Sequence, residues 1–514
     1  MRKAPIFIFG LPRSGTTLLR TVLNCHPHIA CGPEAPWLAD HETGSVMSLY
    51  QRLTTGDFNF SENFCVPDSV ALLRVRELVD GLFGDFAAQQ GKIRWAHKTP
   101  DDCIYIKFFT HLFPDAKYLY IVRHPLDVAL STTRIPEDIR GVSPWHEKNL
   151  VLEHHCAVQN TLFNSALRWQ RWNDKVRQGL KEVECLPLAY EDLVTEPLSG
   201  FAEIFDFLGE PFSPELLDYA KFEPVSSGWE RGAIDVRKAG HIVTSRIGRW
   251  KEELSPDETR ALLSVSGLGS KSLAAVHPDA AGRLACVREM ESDLYRFLVD
   301  GIDSFGGPLG LRPVAKTSKA WEFPWLWNNG LARIDWRDLS VVDIGGGMSP
   351  VPWFLAMKGA RVTLIDTDPQ GTAFWETLRK QLKVDVRWKM TASEALPLED
   401  GSADIVIGCP TAGLHLGRKE YADEIARILK PQGLLALSFE FSEPGTEAAN
   451  SGPNGFACTP REFEESLWFH PAFGNTVSPA WNVDEIASFR EWNLGNAAGR
   501  DHAAGAAVLT KRAH

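Results

Sequence analysis

The residues best suited to chemistry begin near the start of the sequence, in the glycine-containing segment Gly10-Leu-Pro-Arg-Ser-Gly-Thr-Thr17. Its glycines let backbone N–H groups converge on an anion, and the dipole of a following helix adds to the attraction. The spacing is that of a P-loop, except that Thr16 replaces the lysine that reaches the outer phosphates. This change disfavours an ATPase or GTPase, although Arg13 still supplies a cation. The predicted anion-binding residues are Arg13, Ser14, Gly15, Thr16 and Thr17, and an incidental strand–turn–helix junction is the alternative.

A second cationic position follows another apolar run. Ala116–Val122 is typical of a buried strand, Arg123 follows it directly, and Pro125 is placed to open a helix. Ser131 lies two helical turns further on, so Arg123 and Ser131 could bind one phosphate between them. A surface ion pair and a solvated serine fit the spacing equally well.

The second half of the sequence contains another glycine turn, Val341-Val-Asp-Ile-Gly-Gly-Gly-Met-Ser349. The strand-like run Ala360–Asp366 follows and ends in an acid, about 20 residues from the glycines, as in dinucleotide-binding units. An ionised Asp366 could accept hydrogen bonds from two ribose hydroxyls. A structural tight turn is the alternative for Gly345 and Gly347.

Both glycine turns lie between a short strand pattern and a helix pattern. The first unit joins Pro5–Phe9 to the helical stretch Leu18–Asn24, and the second joins Ser340–Ile344 to Val351–Lys358. Each arrangement is typical of the first βα unit of an α/β domain. The sequence therefore predicts an α/β fold with two doubly wound domains, the first P-loop-like and the second Rossmann-like.

The region between these units differs from both. Helical periodicity at Leu284–Val299 is followed by a Gly/Pro-rich break and four tryptophans: Trp321, Trp325, Trp327 and Trp336. Such tryptophans either pack against a neighbouring domain or form a lid that stacks on a substrate. We predict domains at residues 1–275 and 336–514, joined by a Trp-rich helical connector at residues 276–335.

Composition excludes several classes of protein. Hydrophobic residues make up 44% and charged residues 23%, which argues against disorder. The 54 Lys and Arg against 66 Asp and Glu give a net charge of -12, which argues against a nucleic-acid coat protein. Nine cysteines without CxxC spacing disfavour a disulfide scaffold and a zinc site. With no signal peptide and no run of about 18 apolar residues, the sequence predicts a cytoplasmic protein without a membrane span or metal.

Taken together, Pro12–Thr17, Ile121-Val-Arg-His-Pro125 and Ser131 resemble the sulfotransferases that use 3′-phosphoadenylyl sulfate (PAPS). Within that family, Phe9–Arg20 and Cys31-Gly-Pro-Glu34 look most like the protein-tyrosine sulfotransferase branch. The resemblance covers roughly residues 4–255. It implies that the first loop holds the 5′-phosphosulfate of PAPS, while Arg123 and Ser131 hold the 3′-phosphate.

The same resemblance implies roles for further residues. Glu34 would be the general base that takes the proton of the acceptor hydroxyl, while Lys98 would stabilise the transferring sulfonate and the leaving oxygen. Arg13 completes the implied catalytic set. Tyr190 would contact the nucleotide, and Arg249 would reach the 3′-phosphate region. The tyrosine branch is associated with homodimers.

Three departures from the tyrosine branch bear on the acceptor or on the compartment. Ala35 and Pro36 follow Glu34, where those enzymes place an arginine that reads acidic peptides. Their serine against the sulfonate has no clear counterpart among Ser226, Ser227, Gly232 and Ser245. Ala96 stands where the disulfide partner of Cys31 would lie. The first two differences leave a glycan, a lipid or a small metabolite open as the acceptor, beside peptidyl tyrosine, and the third agrees with a cytoplasmic enzyme.

The order of strand and helix patterns over roughly residues 338–441 resembles class I S-adenosylmethionine-dependent methyltransferases. The resemblance implies that Asp343 and Gly345–Gly347 lie against the amino-acid end of the cofactor, that Asp366 binds ribose and that Ser393 lies near adenine. The closing strands are predicted at Ile486–Trp492 and Gly505–Lys511. His415 is a candidate base or a structural histidine.

The sequence therefore predicts a bifunctional transferase that sulfates and methylates the same or related acceptors. One alternative is a protein-tyrosine sulfotransferase whose second half is accessory or inactive. The other alternative is a nonenzymatic protein that senses nucleotides.

Overall fold

The computed structural model describes residues 3–39, 44–57, 59–134, 149–153, 156–222, 236, 239–267, 281–315, 317–391, 395–408, 419–441, 458–479, 481–496 and 503–513. The chain divides into two compact units. Unit 1 contains residues 1–148 and 168–254, and unit 2 contains residues 149–167 and 255–514. This division falls at Leu254/Ser255, whereas the sequence predicts boundaries at 275/276 and 335/336, which stay predictions.

The strands are numbered in chain order: β1 (Ile6–Phe9), β2 (Ile29–Cys31), β3 (Arg94–Lys98), β4 (Lys117–Val122), β5 (Asn149–Glu153), β6 (Cys156–Gln159), β7 (Cys185–Ala189), β8 (Ala281–Leu284), β9 (Ser340–Ile344), β10 (Arg361–Asp366), β11 (Val386–Met390), β12 (Ala403–Gly408), β13 (Leu429–Phe441) and β14 (Ala503–Thr510).

The α-helices of unit 1 are Thr16–Cys25, Val46–Thr54, Phe60–Asn63, Asp68–Gln89, Ile106–Leu112, Pro125–Thr133, Tyr190–Thr195, Pro197–Leu208 and Trp250–Glu253. Its 3₁₀ helices are Pro100–Tyr105, Pro214–Leu217 and Tyr219–Lys221. The helix Leu162–Gly179 includes the division at 167/168. The α-helices of unit 2 are Pro256–Val265, Val287–Met290, Asp293–Gly306, Lys319–Leu326, Pro350–Met357, Thr372–Leu382, Lys419–Ile428, Pro460–Phe463 and Ile486–Asn496. Its shorter turns are Gly307–Leu309, Pro369–Gly371 and Val483–Glu485 as 3₁₀ helices, and Trp327–Leu331 and Glu464–Trp468 as π-helices.

Unit 1 is built on a parallel five-stranded sheet in the order β2-β3-β1-β4-β7. The central strand β1 reads Ile-Phe-Ile-Phe and is buried at every residue, as expected for a strand covered on both faces. Helix Thr16–Cys25 buries Leu19 and Leu23 in the same core as Ile8. The first predicted βα unit is confirmed, within two residues at each end.

Unit 2 is built on a seven-stranded sheet in the order β11-β10-β9-β12-β13-β14-β8, and β5 pairs with β6 in a separate hairpin. The strands are parallel from β11 to β13, while β14 is antiparallel to both β13 and β8. The second predicted βα unit is confirmed, since β9 precedes helix Pro350–Met357. The predicted α/β class of both domains is confirmed.

Two predictions about element type in unit 2 are wrong. Ile486–Trp492 lies in the helix Ile486–Asn496, because the buried residues Ile486, Phe489 and Asn493 recur at helical spacing. Leu284–Val299 is not one helix either. Its first residue ends β8, which forms the sheet edge, and Ser292 caps a separate helix by accepting a hydrogen bond from the Tyr295 N–H.

Trp321, Trp325 and Trp327 of the predicted connector, and Trp336 next to it, belong to unit 2 and are at most 4% exposed. Trp327 packs near Phe354 and donates from Nε1 to Ser264 Oγ at 2.9 Å. Their rings therefore pack within this unit. Among the described residues, no helix combines the length and the apolar character that crossing a bilayer requires.

A buried carboxylate lies where β3 begins. Glu210 Oε1 accepts from Arg94 Nη1 at 3.1 Å and Lys3 Nζ at 2.9 Å, and Oε2 lies 2.9 Å from His28 Nδ1. Burial opposes ionisation of Glu210, but hydrogen bonds from His28, Lys3 and Arg94 outweigh it and hold the pKa of Glu210 below its usual value. His26, His28 and Glu210 bring potential metal-ligand atoms within 4.8 Å of one another, but all three already bond protein groups.

We predict that Glu210→Gln destabilises unit 1 by about 3 kcal/mol, because the buried Arg94 guanidinium loses its counter-charge. The stabilisation from ionised Glu210 is present above the ordinary carboxyl pKa and is lost as pH falls through the lower pKa of the folded state. Calorimetric unfolding between pH 7 and pH 3 should show a lower unfolding temperature and a weaker pH dependence for the variant. Unchanged unfolding would contradict the role of this network.

Candidate functional sites

The predicted residues of unit 1 meet at one edge of its sheet. The glycine loop follows β1, Glu34 follows β2, Lys98 ends β3, Arg123 follows β4 and Tyr190 follows β7. Because all five strands are parallel, their carboxyl ends share one edge, and the strand order reverses at β1. Ligands of open α/β sheets bind at such a reversal.

The glycine loop is shaped by two close approaches of backbone to neighbouring groups. A Cβ on Gly10 would lie 2.7 Å from the carbonyl oxygen of Ile121, and one on Gly15 would lie 2.5 Å from the Tyr190 ring. Gly15 has a φ of 100° and Arg13 a φ of 73°, which is left-handed and strained for a residue other than glycine. The loop leads directly into helix Thr16–Cys25, so its amides lie at a helix N-terminus.

Arg13 connects the groups predicted to bind phosphate. Its Nε donates to Ser131 Oγ at 2.9 Å, and its carbonyl oxygen accepts from Arg123 Nη1 at 3.1 Å. The Arg123 guanidinium lies over the Tyr190 ring, 4.7 Å from its centroid. Burial lowers the pKa of Arg123, but an arginine remains charged at neutral pH. The structure thus brings Arg13, Arg123, Ser131 and Tyr190 together.

Glu34 and Lys98 form an ion pair beside this loop. Lys98 Nζ donates to Glu34 Oε1; the lysine side chain is 1% exposed and the carboxylate 37% exposed. The next residues of both segments are also joined, because the Ala35 N–H donates to Thr99 Oγ1 at 2.9 Å. One buried cation is therefore held against one solvent-accessible carboxylate, as the implied roles require.

Arg249 lies apart from these contacts among the described residues. Its guanidinium pairs with Glu253, and its side chain is 47% exposed. Its segment is instead held through the backbone, because buried Asp127 accepts from the N–H groups of Gly248 and Trp250 at 2.8 and 3.4 Å. Arg123 Nη2 also donates to the carbonyl oxygen of Arg246.

Sequence reasoning missed Asp127. An acid two residues after Pro125, in the first turn of a helix, was the available signal, but it is also common as a simple dipole partner. Ser226, Ser227 and Gly232 lie outside the described residues.

The glycine turn of unit 2 is closed by two carboxylates. A Cβ on Gly346 would lie 2.0 Å from Asp343 Oδ1, and one on Gly347 would lie 2.4 Å from Asp366 Oδ2. Asp366 Oδ1 accepts from the N–H groups of Thr367 and Asp368 at 2.7 and 3.1 Å. The structure thus brings Asp343, Gly345, Gly347 and Asp366 together at the carboxyl ends of β9 and β10.

Asp343 is 4% exposed, and its Oδ1 meets no hydrogen-bond partner in the described part of the chain. Burial raises the pKa of Asp343 to about 7, with Lys319 and the Gly346 N–H opposing that shift. An unsatisfied buried carboxylate oxygen beside a turn that only glycine permits fits a ligand donor at this position. Lys319 is the first residue of helix Lys319–Leu326, and it was not predicted from the sequence as part of this site. Ser393 and His415 lie outside the described residues.

Two protein-family profiles match this chain. The sequence profile of the sulfotransferase family matches residues 5–214, and the profile of a methyltransferase domain matches residues 342–437. Each match covers the strands and glycine turn of one site.

Individual relatives match the first half of the chain. Protein-tyrosine sulfotransferase A of Caenorhabditis elegans is 26% identical over 225 residues, which are 42% of this chain and 52% of the relative. Nodulation protein NoeE of Sinorhizobium fredii is 31% identical over 134 residues, which are 24% of this chain and 30% of the relative. The match therefore spans about half or less of these curated relatives. A solved sulfotransferase domain from the curacin biosynthetic pathway is 22% identical, covers 51% of this chain and 96% of its own, and has a TM-score of 0.35.

We predict that Asp343→Asn changes how the stability of unit 2 depends on pH. Because the folded pKa of about 7 lies above the ordinary 3.8, the folded state binds the extra proton between these values, and stability falls as pH rises through that window. The asparagine has no such proton, so its unfolding temperature should fall less from pH 5 to pH 7.5. An unchanged pH dependence in calorimetry would contradict the assignment.

Proposed function

We propose that this transferase, which carries a sulfotransferase-family domain and a methyltransferase domain, moves a sulfuryl group from PAPS to an acceptor hydroxyl and methylates the same or a related acceptor. The ion pair of Lys98 and Glu34 beside the glycine loop is the observation that carries the proposal. It supplies a cation for developing negative charge and a carboxylate for a proton at one sheet edge.

The residues of unit 1 fit PAPS by charge and shape. The close approaches of Gly10 to Ile121 and of Gly15 to Tyr190 fix the backbone of the loop, so that Ser14, Gly15, Thr16 and Thr17 would hold the 5′-phosphosulfate at the helix N-terminus. Arg13 would contact the same group, while Arg123, Ser131 and Tyr190 would hold the nucleotide end. Arg249, which pairs with Glu253 apart from these residues, is only a sequence-based prediction for that end. When bound, PAPS supplies the sulfuryl group and a good leaving group.

The chain's own contribution is positioning and charge. Glu34 Oε2 meets no hydrogen-bond partner in the described part of the chain, so it is available to accept the proton of an acceptor hydroxyl. Lys98 lies on the other side of that carboxylate, buried, where its charge acts in a low dielectric. Holding donor and acceptor in line then accounts for most of the rate.

The acceptor is proposed as a glycan, a lipid or a small metabolite, because Ala35 and Pro36 replace the arginine that reads acidic peptides. A second candidate is peptidyl tyrosine, with the methyltransferase domain accessory or inactive. That candidate is supported by the names of curated relatives, including the Caenorhabditis elegans enzyme. A cytoplasmic location and a homodimer also remain proposals.

Unit 2 fits S-adenosylmethionine through Asp343, the turn Gly345–Gly347 and Asp366, while a role of Ser393 near adenine is proposed from the sequence alone. The unsatisfied oxygen of Asp343 would accept from the amino-acid end, and Asp366 from the ribose. When bound, the cofactor supplies an activated methyl group, and the protein's task is to hold donor and acceptor in line.

The proposal is tested with sulfur-labelled PAPS, the purified chain and fractionated extract of its host, with and without S-adenosylmethionine. We expect label in glycan, lipid or metabolite, with a methyl group added in the second tube. Label recovered as tyrosine sulfate, in the same amount with and without S-adenosylmethionine, would support the second candidate. No label in any fraction, together with unchanged binding of adenosine 3′,5′-bisphosphate by Arg13→Ala and Arg123→Ala, would overturn the donor assignment.

We predict that Glu34→Gln lowers kcat for sulfuryl transfer by at least about 100-fold, because the amide cannot take a proton. Its affinity for adenosine 3′,5′-bisphosphate, measured by calorimetric titration, should stay within about two-fold, since the nucleotide contacts lie on Arg13 and Arg123. Glu34→Asp is the matched variant and should keep part of the rate. A full rate with glutamine would exclude Glu34 as the base.

A further inference from the structure

A buried hydrogen bond lies behind the candidate lysine. His97 Nε2 lies 2.6 Å from Asp102 Oδ2, and the two side chains are 2% and 1% exposed. His97 precedes Lys98 at the end of β3, and Asp102 lies in the 3₁₀ helix Pro100–Tyr105 that follows.

The surroundings of this pair are aromatic. The His97 ring is stacked with Phe109 at 5.7 Å and meets the edges of Phe7 and Phe83 at 5.8 and 5.7 Å. Burial, assisted by the charge of Lys98, lowers the pKa of His97 to about 3, so the ring is neutral and its Nε2–H donates to Asp102. Among the described residues, His97 Nδ1 has no partner.

Stability alone is a weak reason for this arrangement. A polar pair among phenyl rings loses its hydration, and apolar side chains of similar volume would fill the same space at similar or lower free energy. What the pair does supply is a fixed geometry between the last residues of β3 and the first turn of the next helix.

Two short connections join His97 and Asp102 to the ion pair of Lys98 and Glu34. Alternation along β3 places Lys98 on the face opposite His97, so fixing the His97 ring also fixes the direction of Lys98. The Asp102 N–H donates to the Thr99 carbonyl at 3.2 Å, and Thr99 Oγ1 accepts from the Ala35 N–H at 2.9 Å. Glu34 and Ala35 are thus held against the same turn that Asp102 closes.

We propose that His97 and Asp102 are positioning residues: their hydrogen bond fixes the turn Lys98–Asp102 so that Lys98 and Thr99 hold Glu34 and Ala35 in the transfer geometry. This inference rests on the proposed sulfuryl transfer.

The other end of β3 offers a matched control. Arg94 begins that strand and pairs with Glu210, both nearly fully buried, but far along the strand from Lys98. Glu210→Gln therefore removes the charged partner of Arg94, another buried residue of β3, and leaves the turn Lys98–Asp102 unchanged. A role in folding alone would make Asp102 and Glu210 variants behave alike once the folded fraction is taken into account.

The first test is kinetic, on the full chain. Asp102→Ala should lower kcat per folded molecule by about 10- to 100-fold, as loss of a positioning contact does. The KM for PAPS and the affinity for adenosine 3′,5′-bisphosphate should stay within about two-fold. Asp102→Asn keeps an oxygen that accepts from His97 and should restore kcat to within about three-fold of the wild type. Equal kcat in Asp102→Ala and the wild type, or an equal loss in Glu210→Gln, would overturn the proposal.

A second readout is independent of activity. Amide hydrogen exchange of the peptide over residues 32–38 reports the Ala35 N–H, which should exchange at least about ten-fold faster in Asp102→Ala than in Asp102→Asn or Glu210→Gln. Unchanged exchange would overturn the proposal even if the activity falls. If the wild type transfers no sulfuryl group, the proposed function fails, while the exchange experiment still decides whether the pair positions this turn.

Discussion

Parallel strand pairing is the constraint on which the candidate chemistry of unit 1 depends. It sends five loops to one edge of the sheet, so residues separated by more than a hundred positions meet there. Lys98 reaches Glu34, and Arg13 reaches both Ser131 and Arg123. The close packing of Gly10 against Ile121 and of Gly15 against Tyr190 keeps the loop backbone at that edge. Without the shared direction of the strands, none of these pairs would form.

The charges buried along the sheet of unit 1 impose a further constraint. Unit 1 buries charged or polar groups at both ends of β3, with Arg94 and Glu210 at one end and Lys98 at the other. A buried charge is tolerated only with a partner, so each end imposes a specific arrangement of the chain around it. At the carboxyl end, the partner of Lys98 is itself the accessible carboxylate. The interaction that satisfies the lysine thus also presents Glu34 to solvent.

In unit 2, the candidate site is formed by the backbone of a glycine turn and by two carboxylates. The turn after β9 brings Asp343 and Asp366 so close to Gly346 and Gly347 that a side chain on either glycine would collide with a carboxylate oxygen. Asp343 is buried, and within the described part of the chain one of its carboxylate oxygens lacks a hydrogen-bond partner, which costs free energy in the protein alone. Both units therefore place charged side chains at the carboxyl ends of parallel strands, unit 1 mainly with cations and unit 2 with acids.

The sequence by itself determined the α/β class, both glycine turns and the residues at the ends of β1, β4 and β10, because these depend on local patterns of apolar runs, glycines and charges. Strand β3 was not predicted, and Lys98 at its end was implied only by the family resemblance. Prediction from local pattern failed where one apolar run is compatible with either a helix or a strand. Ile486–Trp492 is a helix rather than a strand, and Leu284 ends a strand that forms a sheet edge. Only the tertiary structure decided that Asp127 holds the segment of Arg249 and that His97 bonds Asp102. Such contacts depend on how the helices, strands and turns pack together. The spacing of two residues along the chain does not predict whether their buried side chains meet.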